Sequence, residues 1–202
     1  MKKLIAFALL PVLSGCLTAS SPKVTQWLLE YTGPTGSCPP SEASCEAGAM
    51  RGAPQAKYGV ARVSQVLVRS PYGEKGLAVL RTDGSVAFDS YNEYAANPTA
   101  MMKGVVFDAM DASGLFGAVV TPSSSVRSSV QTEVHISRLA LDCRSDGVRK
   151  AVASVRVRIV TNEGKALYAQ GEGEADAKEG NYGAALSRAL SMALNSAFGH
   201  FR

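Results

Sequence analysis

The groups with which this 202-residue chain could do chemistry are few: four cysteines, two histidines and seventeen acidic side chains. One cysteine has a context that specifies its reaction. Leu13-Ser14-Gly15-Cys16 sets a thiol behind a large residue and two small ones, the lipobox pattern in which the thiol takes a diacylglycerol and a peptidase then cuts in front of it. Ser14 and Gly15 are small enough for the extended chain to enter that peptidase. Lys2 and Lys3 precede an apolar run over 4–13, the charged and hydrophobic regions of a secretory signal. As a helix the run spans roughly 15 Å, about half of a ~30 Å hydrocarbon core, too short for a permanent anchor. The pattern therefore predicts a signal peptide over 1–15, a lipidated Cys16 and a tether over 16–23. Each buried CH₂ adds ~0.8 kcal/mol of membrane affinity, so two or three acyl chains hold where one would not. Leu17 and Thr18 stand where an inner-membrane retention signal would place aspartate, so the expected location is the outer membrane, lipid-anchored and facing the periplasm.

The remaining cysteines are Cys38, Cys45 and Cys143. In an oxidising compartment a nearby pair should bridge. Cys38 and Cys45 enclose Pro39-Pro40-Ser41-Glu42-Ala43-Ser44, a loop with little apolar surface of its own, which makes this pair the disulfide candidate and leaves Cys143 as a buried free thiol. The rival arrangement ties Cys143 to Cys38 or Cys45. His135 and His200 lack ligand spacing, so no metal and no cofactor are expected.

No supported nucleophile, carboxylate pair or phosphate loop appears: G-x-S-x-G, H-E-x-x-H and G-x-x-x-x-G-K-[ST] are all missing, and the expectation is a non-enzyme. Glu172, Glu174 and Asp176 recur every second residue, which reads as a solvated strand face. Tyr91 and Tyr94, with Asn92 and Asn97, offer either an aromatic partner surface or a cover for the end of a sheet.

These residues need elements to place them. Removing 1–15 takes away Lys2 and Lys3 and no acid, so the formal charge falls from +4 to +2, which gives no composition-level sign of a nucleic-acid partner. The length left suits one domain over 24–202. Alternation predicts strands over 24–31, 58–69 with a bulge, 77–82, 85–89, 117–121, 130–137, 153–159 and 167–176. Asp83-Gly84 marks a hairpin, and residues 32–57, rich in Gly, Pro, Ser and Ala, form a long loop. Asn97-Pro98 opens a helix that Gly114 stops, and Tyr182, Leu186, Leu190 and Leu194 stripe a closing helix that Gly199 ends. If Ile159 and Leu167 both face the core they pair directly, leaving Asn162-Glu163-Gly164 as a three-residue turn with Gly164 left-handed. The expected fold is α+β, a largely antiparallel sheet with two helices packed on one face.

The order of these pieces resembles the ABC-type transport auxiliary lipoproteins, outer-membrane companions of MCE and paraquat-inducible lipid-transport systems. The resemblance is carried by the lipobox at Cys16, the strand Val60-Ala61-Arg62-Val63-Ser64-Gln65-Val66-Leu67-Val68 before Pro71-Tyr72, and Tyr91-Asn92-Glu93-Tyr94-Ala95-Ala96-Asn97-Pro98. It continues in Leu115-Phe116-Gly117-Ala118-Val119, Leu167-Tyr168-Ala169-Gln170-Gly171 and Ala184-Ala185-Leu186-Ser187-Arg188-Ala189-Leu190. Tyr94 departs from the family's usual tryptophan, and the loop from Cys38 to Cys45 looks like an insertion. The resemblance implies a non-catalytic component that docks an MCE-type tunnel to the outer membrane, with permease and ATPase on other chains, phospholipid or another hydrophobic molecule as the cargo and a homo-oligomeric ring as the expected assembly. The alternative is a structural or assembly lipoprotein that scaffolds another envelope complex.

Overall fold

Alternating apolar residues over 150–176 have nowhere to put one face except against another layer, and the layer is helical. A computed structural model describes residues 23–33, 56–145 and 147–202. Their elements in chain order are β1 (Thr25–Trp27), β2 (Tyr58–Val68), β3 (Gly76–Leu80), β4 (Val86–Tyr94), α1 (Pro98–Ala112), β5 (Phe116–Val120), β6 (Val130–Asp142), β7 (Lys150–Thr161), β8 (Ala166–Asp176) and α2 (Tyr182–Gly199). The fold is α+β, an eight-stranded mixed sheet with both helices packed on one face of it. The signal peptide, Cys16, the tether up to residue 22 and the pair Cys38 and Cys45 lie outside the described residues. Among the described residues no helix is long and apolar enough to cross a membrane.

β6 is the spine. β7 pairs antiparallel with it and β8 antiparallel with β7, two long ladders that form one wing. Along the other edge of β6, β2 and β3 follow one another, both parallel to it, β2 from Ala61↔Val130 to Val68↔Ile136 and β3 at Val79↔Leu141. β5 extends β2 in parallel, β4 pairs antiparallel with β3, and β1 lies parallel to β4. The bulge expected in β2 falls between Val63 and Gln65.

The β7–β8 and β3–β4 hairpins use the same turn. Thr161 N donates to Lys165 O and Gly164 N to Thr161 O, each at 2.9 Å, and Gly164 has φ +80°. Arg81 and Ser85 repeat the arrangement with Gly84 at φ +81°. Thr82 therefore belongs to the turn with Asp83-Gly84, and the register Ile159↔Leu167 holds as the alternation requires.

The inner faces of the sheet and both helices share one core, in which Ile136, Leu139, Val155, Ile159, Leu186, Leu190 and Leu194 are wholly inaccessible. α1 starts at Asn97, whose side chain accepts from Ala100 N, with Pro98 in its first turn, and Gly114 at φ +67° ends it. The expected strand over 24–31 is shorter, Thr25–Trp27. Beyond Trp27 the chain stays extended, but its donors turn to α2: Glu30 N donates to Ser187 Oγ at 3.1 Å and Thr32 N to Ser191 Oγ at 3.0 Å. Tyr31 Oη donates to Asn195 Oδ1 at 2.7 Å. Residues 187, 191 and 195 are four apart, one stripe on the helix surface.

Candidate functional site

On the sheet face opposite the helices, Ala78, Leu80, Ala140 and Val152 form a small buried cluster with Tyr72, while the part across β2, β6, β7 and β8 is left bare by the described residues. Outward positions of four strands are brought side by side there: Gln65 and Leu67 on β2, Glu133 and His135 on β6, Arg156 and Arg158 on β7, Tyr168 and Gln170 on β8. Strand pairing orders them in two rows. In the first, Gln65, Glu133, Arg158 and Tyr168 are successive cross-strand partners, and in the second Leu67, His135, Arg156 and Gln170. Together they line a hollow of about 570 Å³.

The two rows differ in their charge balance. Arg158 Nη1 donates to Glu133 Oε2 at 3.1 Å, and its guanidinium carbon sits 5.8 Å from the Tyr168 ring centroid. The hydrogen bond to Glu133 and its charge hold Arg158 still more firmly protonated than usual. The side chain of Arg156, its neighbour along β7 on the same face, forms no ion pair or hydrogen bond with a described residue, and neither does the imidazole of His135 opposite it. Glu172, diagonal to Arg156, accepts instead from Ser154 Oγ at 3.3 Å. The hollow thus carries two guanidinium groups and one carboxylate, a formal excess of one positive charge with the imidazole neutral. Leu67 is 47% exposed and Tyr168 71% exposed at its opposite sides, so apolar surface flanks the free cation.

A second hollow, of about 600 Å³, lies where β2 outruns its partner. β5 pairs with β2 only as far as Arg62, so Val63 to Leu67 border a groove whose far wall is α1, with Lys103, Phe107 and Asp108. Arg62 itself is committed to structure. Its Nη1 donates to the carbonyls of Thr121, Pro122 and Ser124 and its Nη2 to that of Val126, which fixes the Ser-rich loop after β5.

The expected aromatic surface does not form as a unit. Tyr91 is 54% exposed, but Tyr94 is 1% exposed and sits in the main core, so its assignment to a partner surface is corrected. Its hydroxyl finds no partner among the described residues, and burial raises its pKa. Asn97 spends its side chain on capping α1. Cys143 carries a free, half-buried thiol whose pKa burial raises. Among the described residues no three His, Cys, Asp or Glu side chains gather as metal ligands would. Alternation along the strands already turned His135, Arg156 and Gln170 outward together. The parallel placement of β2, which adds Gln65 and Leu67, has no local signal in the sequence.

No family model matches the chain, and no curated protein matches it. Solved structures do resemble it. A Xanthomonas campestris protein of the DUF330 family aligns at a TM-score of 0.62 and 14% identity, covering 89% of this chain and 94% of that one. A PelC chain from Paraburkholderia phytofirmans, crystallised as a dodecamer, aligns at 0.41 and 11% identity, covering 69% of this chain and 87% of that one. A lipoprotein from Neisseria meningitidis aligns at 0.28 and 11% identity over 64% of this chain and 93% of that one. The first likeness establishes a shared fold; at identities this low none of them transfers an activity.

Proposed function

We propose that this chain is a non-catalytic envelope lipoprotein, anchored to the outer membrane through Cys16, that serves an intermembrane transport system for lipid or another hydrophobic molecule by docking its periplasmic tunnel. The observation that carries the envelope half is the lipobox followed so closely by the fold. β1 begins at Thr25, nine positions after Cys16, and at about 3.3–3.6 Å per residue even a taut tether holds the domain within roughly 30 Å of the membrane surface. A component in that place can receive or position a neighbouring complex without an energy source of its own, and the motifs for ATP hydrolysis and acyl hydrolysis are missing from the sequence. The transport half rests on the resemblance of the ordered segments to transport auxiliary lipoproteins.

Affinity purification of the lipidated full chain from envelope membranes, with protein and lipid analysis of what accompanies it, tests the reading. The expected result is an MCE-type tunnel protein with its permease and ATPase, together with phospholipid. Recovery of a secretin, a polymer exporter or wall-synthesis proteins in their place would make the chain a scaffold of that other machine.

A further inference from the structure

The bare sheet face has a chemistry more specific than docking. We infer that the hollow between β2 and β8 binds an amphipathic oxyanion, a negatively charged head group with an apolar body, through Arg156 and His135.

Four observations meet there. Among the described residues the Arg156 side chain has no ion-pair or hydrogen-bond partner, and strand pairing places it directly between His135 and Gln170, so one guanidinium, one imidazole and one amide lie side by side on three strands. Such a set donates to oxyanions, with the guanidinium supplying two parallel bonds. The neighbouring Arg158 is already matched by Glu133 at 3.1 Å, which keeps that carboxylate from neutralising Arg156 and leaves the hollow one positive charge in excess. Glu172 is turned to Ser154, and on that next row Arg138 and Glu172 both flank Ser154, so the row adds one charge of each sign and the excess of one positive charge stands. Finally, the rims of the hollow are apolar where the centre is polar. Leu67 on one side and the face of Tyr168 on the other are both exposed, which suits acyl or prenyl chains leaving the head group and disfavours a fully hydrated ion. The volume of about 570 Å³ falls in the range of small-molecule sites.

This inference does not depend on the transport reading: a scaffold could bind the same molecule, and a transport component could leave this face empty. The two tests therefore fail separately.

The chain's two histidines allow a direct readout, because His135 lies in the hollow and His200 at the end of α2. The lipidated full chain in maltoside micelles is titrated with dihexanoyl-phosphatidylglycerol, dihexanoyl-phosphatidylcholine or inorganic phosphate while the imidazole ¹H–¹³C resonances are followed. Phosphatidylglycerol should shift His135 saturably and leave His200 in place. The zwitterionic lipid should bind at least fivefold more weakly and inorganic phosphate at least tenfold more weakly. Arg156→Gln should weaken phosphatidylglycerol binding at least tenfold, Tyr168→Ala severalfold, and Arg138→Gln less than twofold. All three side chains are exposed, so the fold should tolerate their loss. An unmoved His135, or an undiminished response in Arg156→Gln, overturns the site. Inorganic phosphate binding as well as the lipid overturns the amphipathic part and assigns the hollow to a free ion.

Discussion

A Cβ placed on Gly173 would stand 2.0 Å from the carbonyl oxygen of Ala189, so β8 and α2 meet backbone to backbone. Gly171 does the same one step along the strand, at 1.9 Å from Ala193 O. The helix supplies Ala189, Ala193 and Ala197 on the facing side, all inaccessible to solvent. Neither backbone can yield as a flexible side chain would. Gly173→Ala should cost about 1–3 kcal/mol, the usual range for overpacking a filled core, and lower the melting temperature by several degrees. Gly199→Ala, where nothing lies near the added methyl, should not. A Gly173→Ala variant that melts with the parent would mean that helix and strand are held further apart than described.

The β7–β8 hairpin could be read from the chain alone because one constraint was local and the other periodic: Gly164 fixed the turn, and two apolar faces had to coincide. Beyond this hairpin and the β3–β4 turn at Gly84, the sheet has no such pair of constraints. β2, β5 and β3 join β6 or one another in parallel, across loops or a helix, and nothing in their alternation selects partner or direction. Tyr94 shows the same limit on a smaller scale. An aromatic residue in a polar segment suits a rim as well as a core, and only the tertiary packing that draws Tyr94 into the main core decides. The expected strand over 24–31 ends at Trp27, and beyond it Ser187 and Ser191, two helix residues, take the backbone donors of Glu30 and Thr32.

That pairing predicts a localised effect. Ser187 and Ser191 are buried and accept from Glu30 N and Thr32 N. Ser187→Ala and Ser191→Ala should each cost about 1 kcal/mol, the net value of a typical intramolecular hydrogen bond. Amide hydrogen exchange should quicken at residues 28–33 while β6 and β7 keep their protection. Ser196→Ala, on the exposed side of the same helix, should leave the segment unchanged. Uniform loss of protection in Ser187→Ala would show that the serine supports α2 rather than the chain crossing it.

Acid should loosen the edge of the sheet at β1. Lys75 Nζ donates to Glu93 Oε1 at 2.7 Å and Gln26 Nε2 to the same oxygen at 2.8 Å. The Lys75 bond first, and the Gln26 bond second, hold the Glu93 carboxyl below its ordinary value. A carboxylate with a depressed folded pKa stabilises the fold at pH above its unfolded value, about 4.3, and that contribution is lost as the pH falls through the folded value. Between about pH 5 and 3, protection of the β1 amides should therefore drop faster in the parent than in Glu93→Gln, and Lys75→Met should raise the Glu93 pKa toward normal. A parent and a Glu93→Gln variant with identical acid profiles at β1 would remove Glu93 as the cause.

The last prediction separates conformation from contact at the β7–β8 turn. Gly164 has φ +80°, and nothing lies within 4 Å of where its Cβ would be. Any cost of substitution there comes from the backbone and not from packing. A left-handed conformation costs an ordinary L-residue roughly 1–2 kcal/mol, least for asparagine and most for β-branched side chains. The expected order of stability is therefore Gly164, then Asn, then Ala, then Val, with Gly164→Val down by about 2 kcal/mol or more and Gly164→Asn by about 1 kcal/mol or less. Because Ile159↔Leu167 also sets which residues reach the bare face, a turn forced to slip by one residue would turn Tyr168 and Gln170 inward. Gly164→Val should accordingly weaken the His135 response to phosphatidylglycerol if the turn slips, and leave it intact if the variant pays only in stability. A melting temperature ordered by side-chain volume, with Asn below Ala, would show that the turn is crowded and that the left-handed glycine is not what holds the register.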